Sequence, residues 1–291
     1  MTARSFNFLK YKSYAACFSI AFILAGIAGY VHNGGFRYSV DFTGGTQLRF
    51  EFSKPVGSEE LKGILARNGW EDAVTREFSP TEKVVRVKEF VNDAQGLAVA
   101  IQGALQANLP DTTVILHEVN GVGPGTGQEL RWNFILMLLA GFALMFSYIV
   151  ARFWSLSYGI GTIIALLHDP LAILAVIAIT KIEISPNIIC AIIMALGYSI
   201  NDTIVIFARI RERFATSKPG ESPAAIVNES LNLTLTRTIL TSLATFSAVA
   251  ALYMFGGESL RDLSLAFMVG ILVGTYSSIF VASPIMLFFR R

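Results

Sequence analysis

Charge is scarce in this sequence: only 15% of its 291 residues are Asp, Glu, Lys or Arg, against roughly 25% in an average soluble domain. That shortage argues against an ordinary soluble enzyme. Cysteine is nearly absent too. Cys17 and Cys190 both fall inside apolar runs and read as small packing residues, so a structural disulfide is not expected. Histidine is limited to His32, His117 and His168, without an H-E-x-x-H pair, which leaves a metal centre without a ligand set. A net charge of +2 is too small to suggest nucleic acid as a partner. Ser199 is followed by Ile200 and lacks the glycine-flanked turn of a serine nucleophile. The stretch Gly121-Val-Gly-Pro-Gly-Thr-Gly127 lacks the Gly-Lys-Ser/Thr ending of a phosphate loop and reads as a flexible joint. No cofactor is implied.

What the sequence has is long apolar runs. Hydrophobic residues make up 53% of the chain, and runs cover about residues 13–31, 134–150, 156–179, 184–207, 239–255 and 263–289. Each is near the ~20 residues that span a bilayer. The first follows Arg4, Lys10 and Lys12, as in a secretory signal, but its length favours a retained helix. With an inner N-terminus, one side receives Arg4, Lys10, Lys12, Arg152, Arg209, Arg211, Arg213, Lys218, Arg290 and Arg291. The short loops on the other side hold only Lys181 and Arg261. That bias places both termini in the cytoplasm.

Between about residues 33 and 131 the texture changes. Residues 40–52 alternate Thr46, Leu48, Phe50 and Phe52 with Gln47, Arg49 and Glu51, the pattern of a half-buried strand. Asp41, Gly44 and Gly45 open it, and the two glycines suggest a bulge or close backbone packing. A helix from Ser58 to near Asn68-Gly69, strands at 73–78 and 83–90, a helix capped by Asp93 and running to Asn108, and a strand at 112–119 follow. The order β-α-β-β-α-β is that of a ferredoxin-like α+β domain. The chain thus divides into residues 1–32 with helix one, an outer domain at 33–131 ending in the glycine-rich joint, and helices two to six at 132–291. A cytoplasmic loop at about 210–236 is expected, with a short cytoplasmic or interfacial helix at 221–236.

Ionisable residues inside apolar spans are candidates for function. Asp169 lies near the middle of the third helix, in His168-Asp169-Pro170; the plainer reading there is a proline kink whose freed backbone is satisfied by polar neighbours. Asp202 lies in the fourth helix, and Arg237, with Thr241 one turn further, starts the fifth. Asp202 is about seven residues from its helix centre and Arg237 about nine to ten from its own, on the same side. At 1.5 Å per residue their depths differ by only a few Å. Such a pair reads equally as a proton switch, since a carboxylate that loses its cation in apolar surroundings takes up a proton, or as a static ion pair fixing helix register.

Taken together, Val40-Asp-Phe-Thr-Gly-Gly-Thr46, Gly121-Val-Gly-Pro124, His168-Asp169, Gly197-Tyr-Ser-Ile-Asn201-Asp202, Arg209-Ile-Arg-Glu-Arg213, Arg237-Thr-Ile-Leu-Thr241-Ser242, Phe255-Gly-Gly257 and Ser277-Ser-Ile279 resemble the SecF family of bacterial export subunits over nearly the whole chain. The resemblance implies a membrane α-helical fold: six transmembrane helices forming an RND-like half bundle, with a periplasmic ferredoxin-like α+β domain between helices one and two. It implies SecD and the Sec translocon channel as partners, exported unfolded polypeptides as cargo, and protons or sodium ions as the driving ions at the bacterial inner membrane. It carries the family's intramembrane aspartate and arginine onto Asp202 and Arg237, with Thr241 and Asp169 beside them. Gly123, Pro124, Gly197 and Asn201, with Asp41, Gly44 and Gly45, take structural or coupling roles. Pro170 departs from the family pattern, where an aliphatic residue is expected. An RND-related exporter of lipids or hydrophobic compounds and a scaffold without ion transport are the alternatives.

Overall fold

A computed structural model of the chain describes residues 6–71, 73–87 and 94–290. The chain forms two compact units, Tyr38–Ile135 and the remainder, Met1–Arg37 with Leu136–Arg291.

In the first unit a single helical turn, α2 (Val40–Thr43), precedes β1 (Gly45–Phe52), α3 (Ser58–Arg67), β2 (Val74–Ser79), β3 (Glu82–Val87), α4 (Ala94–Asn108) and β4 (Val114–Val122). The sheet is antiparallel in the order β2-β3-β1-β4, so β1 lies between β3 and β4. This is the ferredoxin-like arrangement. Alternation along β1 buries Thr46, Leu48, Phe50 and Phe52, and α3 and α4 cover that face with Leu61, Ile64, Leu65, Ala98, Ile101 and Leu105. Each such large apolar side chain stabilises the fold by about 1.5–3 kcal/mol. Asp93 and residues 88–90, expected to cap α4 and to end β3, lie outside the described residues.

Two expectations about this unit need correction. Residues 40–43 form a helical turn rather than the start of a strand. Gly44 (φ 75°) and Gly45 (φ 118°) then turn the chain into β1, a backbone path that only glycine takes without strain. The register shift between β1 and β4 falls at Arg49/Phe50, away from the glycines. The glycine-rich stretch is also regular structure rather than a flexible joint. Gly121 and Val122 end β4, Gly123 alone stands between, and Pro124 begins α5 (Pro124–Phe153). Proline suits that first helical position, where its missing N–H has no partner to lose. The α2 turn is fastened to the start of α5. The Phe42 carbonyl accepts from the Arg131 guanidinium, a Cβ on Gly127 would stand 2.7 Å from that same oxygen, and the Phe42 ring meets Phe134 edge-on at 5.6 Å.

The second unit holds α1 (Lys12–His32), the remainder of α5, α6 (Leu156–Thr180), α7 (Pro186–Ala215), α8 (Pro223–Phe255) and α9 (Glu258–Ser277). A π-helical turn at Ser278–Ala282 follows, then α10 (Ser283–Phe289). Six stretches are long and apolar enough to cross a membrane, the last running through α9, the π turn and α10. The π turn has a local cause. Pro284 cannot donate to the carbonyl one turn back and its ring would strike it; the widened turn lets Ser283 Oγ bond the Ser278 carbonyl at 2.9 Å. Two close crossings set the bundle. A Cβ on Gly26 of α1 would fall 2.2 Å from Ala175 Cβ of α6, and one on Gly274 of α9 would fall 2.8 Å from Ser199 Cβ of α7. Small residues at such points let membrane helices approach closely.

The separate interfacial helix expected at 221–236 does not exist as such: α8 is one helix of 33 residues. Ile226, Val227 and Leu231 are buried, while Ser230 and Thr234 return their hydroxyls to carbonyls of the preceding turn. No residue in the segment breaks the helix, so the expected loop shrinks to residues 216–222.

Candidate functional site

Within the largely apolar bundle core runs a seam of acids and hydroxyls on α6, α7, α9 and the π turn that follows it. Asp169, Ser199, Asp202, Thr203, Ser277 and Ser278 are all at most 2% exposed. Ser199, Asp202 and Thr203 lie three and four residues apart on α7 and therefore share a face.

Asp169 is fully engaged. Ser199 Oγ donates to its Oδ2 at 2.5 Å, and His168 Nδ1 stands 3.1 Å from its Oδ1. His168 Nε2 lies 3.0 Å from Ser19 Oγ of α1, which lies 3.0 Å from the Tyr276 hydroxyl of α9. That hydroxyl donates to the Ala15 carbonyl at 2.7 Å. The order of donors counts protons. Tyr276 spends its one proton on Ala15, so Ser19 donates to Tyr276 and accepts from His168 Nε2–H. The remaining contact, Nδ1 to Oδ1, then needs one more proton, carried by the imidazolium or by the carboxyl. The side chains of His168 and Asp169 bond within this relay rather than to the backbone freed by Pro170. The helix α6 runs on through that proline.

Asp202 is held loosely. Ser242 Oγ of α8 and Thr275 Oγ1 of α9 reach its Oδ2 at 3.4 and 3.5 Å, near the outer limit of a hydrogen bond, and they bond each other more tightly at 2.7 Å. The expected contact with Arg237 is absent. Among the described residues no cation lies within 4.0 Å of Asp202; Arg237 is exposed on α8. Similar depth does not imply a shared face, and here the two side chains point differently. Thr241 bonds the Arg237 carbonyl at 3.0 Å and does not reach Asp202. Asn201 is exposed, and a Cβ on Gly197 would meet nothing within 4 Å. In the sheet-bearing unit, Asp41 accepts from Ser39 Oγ at 2.8 Å, while Gly44, Gly45, Gly123 and Pro124 form the turns already described.

Ser19, Ser199, Ser242, Thr275 and Tyr276 were not expected as site residues. The three-residue step from Ser199 to Asp202 and the hydroxyl run Thr275-Tyr276-Ser277-Ser278 mark Ser199, Thr275 and Tyr276 as polar positions, though not their partners, and no signal marks Ser19 or Ser242. A further polar contact sits at the start of α8. Asn232 Oδ1 accepts from Phe6 N at 2.8 Å while its Nδ2 donates to Phe6 O at 2.8 Å. One turn earlier, Asn228 accepts from Phe8 N at 2.7 Å and donates to Phe6 O at 2.9 Å. The two amides clamp the backbone leading into α1.

Six membrane-crossing helices, a ferredoxin-like unit between the first two and buried acids in the core define an RND-like integral membrane protein. The chain matches the family "Protein export membrane protein SecD/SecF, C-terminal" over residues 103–291 and the "SecD/SecF GG Motif" over residues 33–56. It is 39% identical to the protein translocase subunit SecF of Thermodesulfovibrio yellowstonii, over 97% of this chain and 93% of that one, and 34% identical to that of Pseudomonas aeruginosa, over 97% and 90%. The crystal structure of SecDF from Thermus thermophilus, described as a translocon-associated membrane protein, superposes with a TM-score of 0.85 at 35% identity. That match covers 97% of this chain and 38% of SecDF. A SecDF structure in a super-membrane-facing form gives 0.69 at 34% identity, with 99% and 39% covered. The chain belongs to the SecF family of protein translocase subunits.

Proposed function

We propose that this chain pairs with a SecD-type protein in the bacterial inner membrane and uses a proton gradient to draw exported, unfolded polypeptide outward from the Sec translocon. Its termini face the cytoplasm and its ferredoxin-like domain the periplasm, as the positive loops favour. The observation that carries the reading is Asp202: a carboxylate 2% exposed, in a membrane bundle, with no cation in contact among the described residues and two long hydroxyl contacts. A carboxylate so placed takes a proton when its surroundings close and releases it when water or a cation arrives. Arg237, exposed at the inner end of the apolar run of α8, marks a face that a partner half bundle would cover. In the cycle, Asp202 takes up the proton on the outer side and releases it inward, Arg237 gates it with Thr241 beside it, and the His168–Asp169 pair is a second proton-holding step.

Rocking of α7–α9 against the partner bundle then moves the outer domain. The fastened α2 turn and the first turns of α5 favour transmission through a stiff element rather than a loose one. The test is export of a secreted reporter in cells carrying Asp202→Asn at native expression with the SecD partner present. Loss of export with normal partner association is the expected result; unchanged export overturns the reading. Replacing the proton gradient with a sodium gradient separates the two driving ions.

A further inference from the structure

At one end of the bundle, Arg209, Arg211 and Arg213 lie on the last turns of α7 and Arg290 directly follows α10, and only some of the four are neutralised. Arg209 is paired with Glu212 at 2.6 Å, and Arg213 with Glu221 and Glu229 at 3.1 and 2.6 Å. Arg211 and Arg290 are not: among the described residues no carboxylate lies within 4.0 Å of either, nor of Arg152 on α5. Arg211 donates to the Arg152 carbonyl at 3.0 Å, and the Arg290 guanidinium lies over the Phe214 ring. The two cations border a cavity of about 670 Å³ between the ends of α5, α6, α7 and α10, within the ~300–1,000 Å³ usual for ligand sites. Ser155, Ser157 and Tyr158 supply hydroxyls to its wall, and Phe153, Leu156 and Phe289 supply apolar surface. Among the described residues no Asp or Glu lines it.

We propose that this cavity binds the headgroup of an anionic phospholipid. Two uncompensated guanidinium groups and adjacent hydroxyls match a phosphodiester, which arginine grips through paired N–H donors. The absence of a lining carboxylate leaves nothing to hold the ammonium of a zwitterionic headgroup, so a net-negative lipid is selected. The apolar wall distinguishes a lipid from a free anion. It continues into exposed side chains that a bilayer would cover, with Trp154, Leu156 and Phe288 at 87%, 64% and 82% exposed. Tryptophan at that position fits the headgroup level of a membrane, and basic pockets between helix ends are a known form of lipid recognition. The bound lipid would bridge α7 and α10 to α5 and α6 without a protein–protein ion pair.

Trp154 is the reporter. In a Trp70→Phe/Trp132→Phe background, the full chain is reconstituted in phosphatidylcholine vesicles with rising fractions of brominated phosphatidylglycerol or brominated phosphatidylcholine. Quenching of Trp154 is expected at a several-fold lower fraction of the anionic lipid. Arg211→Gln/Arg290→Gln removes that preference, and Arg290→Gln alone, which disturbs no backbone bond, reduces it. Equal quenching by the two lipids, or a preference that survives both variants, overturns the proposal. Relief of quenching by inorganic phosphate alone also overturns it, because the site would then take a free anion.

Discussion

His168 and Asp169, consecutive in α6, face each other at 3.1 Å, and with Tyr276 donating to Ala15 that contact is a hydrogen bond when one proton lies on it. Asp169→Asn puts an amide donor where the carboxylate stood, so His168 should become neutral with its proton on Nε2. Nitrogen chemical shifts of labelled histidine in the purified chain read this directly. A wild-type His168 with a bare Nδ1 and an ionised Asp169 would contradict the proton count. Ser199→Ala removes the other donor to Asp169 and should destabilise the bundle by about 1–3 kcal/mol, the usual cost of a stranded buried acceptor; thermal unfolding in detergent measures it.

Arg237 is exposed in the chain taken alone, although α8 is an apolar helix. If the SecD-type partner covers it, a cysteine there changes accessibility on assembly. In a chain with Cys17 and Cys190 replaced, since both are exposed thiols, Arg237→Cys should react with a soluble maleimide readily when expressed alone. Co-expression with the partner should slow the reaction roughly tenfold, equivalent to about 1.4 kcal/mol of protection. An unchanged rate would place the partner on another face, α5 being the most exposed of the six spans.

The apolar runs, the β-α-β-β-α-β order and the intramembrane acids were legible because each follows from spacing along one element. Hydrophobic length marks a span, and alternation at Thr46, Leu48, Phe50 and Phe52 marks a strand face. Partnership across elements was not legible. Asp202 and Arg237 agree in depth, yet rotation about each helix axis decides contact, and a sequence carries depth more plainly than rotation. The same limit hid Ser242 and Thr275, which reach Asp202 from two other helices. The glycines of 121–127 misled for a different reason. Glycine serves a loose loop and a close approach equally, and here Gly127 is the second kind.

That close approach makes a third prediction. A methyl group at Gly127 would stand 2.7 Å from the Phe42 carbonyl and 2.9 Å from its carbon, both rigid backbone atoms, with Arg131 bonded to the same oxygen. Gly127→Ala should cost about 1–3 kcal/mol, as over-packing does elsewhere, and should loosen the Val40–Thr43 turn. Faster amide exchange at Gly44, whose N–H bonds the Val40 carbonyl at 2.8 Å, would report it. Gly125→Ala, where a Cβ meets nothing within 4 Å, is the control that should leave exchange unchanged.

The asparagine clamp carries the last prediction. Asn228 and Asn232 make four hydrogen bonds to the backbone of Phe6 and Phe8, and this backbone leads directly into α1, whose Ser19 closes the relay to His168. An amide that donates and accepts at one peptide unit imitates a neighbouring strand, so the clamp holds the chain whatever its side chains are. Each bond is worth about 0.5–1.5 kcal/mol net. Asn228→Ala/Asn232→Ala should therefore free the segment and raise amide exchange at Phe6 and Phe8 by at least tenfold. Exchange in the first turns of α8 should stay slow, because Ile226, Val227 and Leu231 keep that end of the helix packed. Asn228→Asp/Asn232→Asp separates the two halves of the contact: the acids still accept from both backbone N–H groups but no longer donate to Phe6 O, so exchange should rise only partway. If the acids match the alanines, the donor half holds the segment; if they match wild type, the acceptor half does.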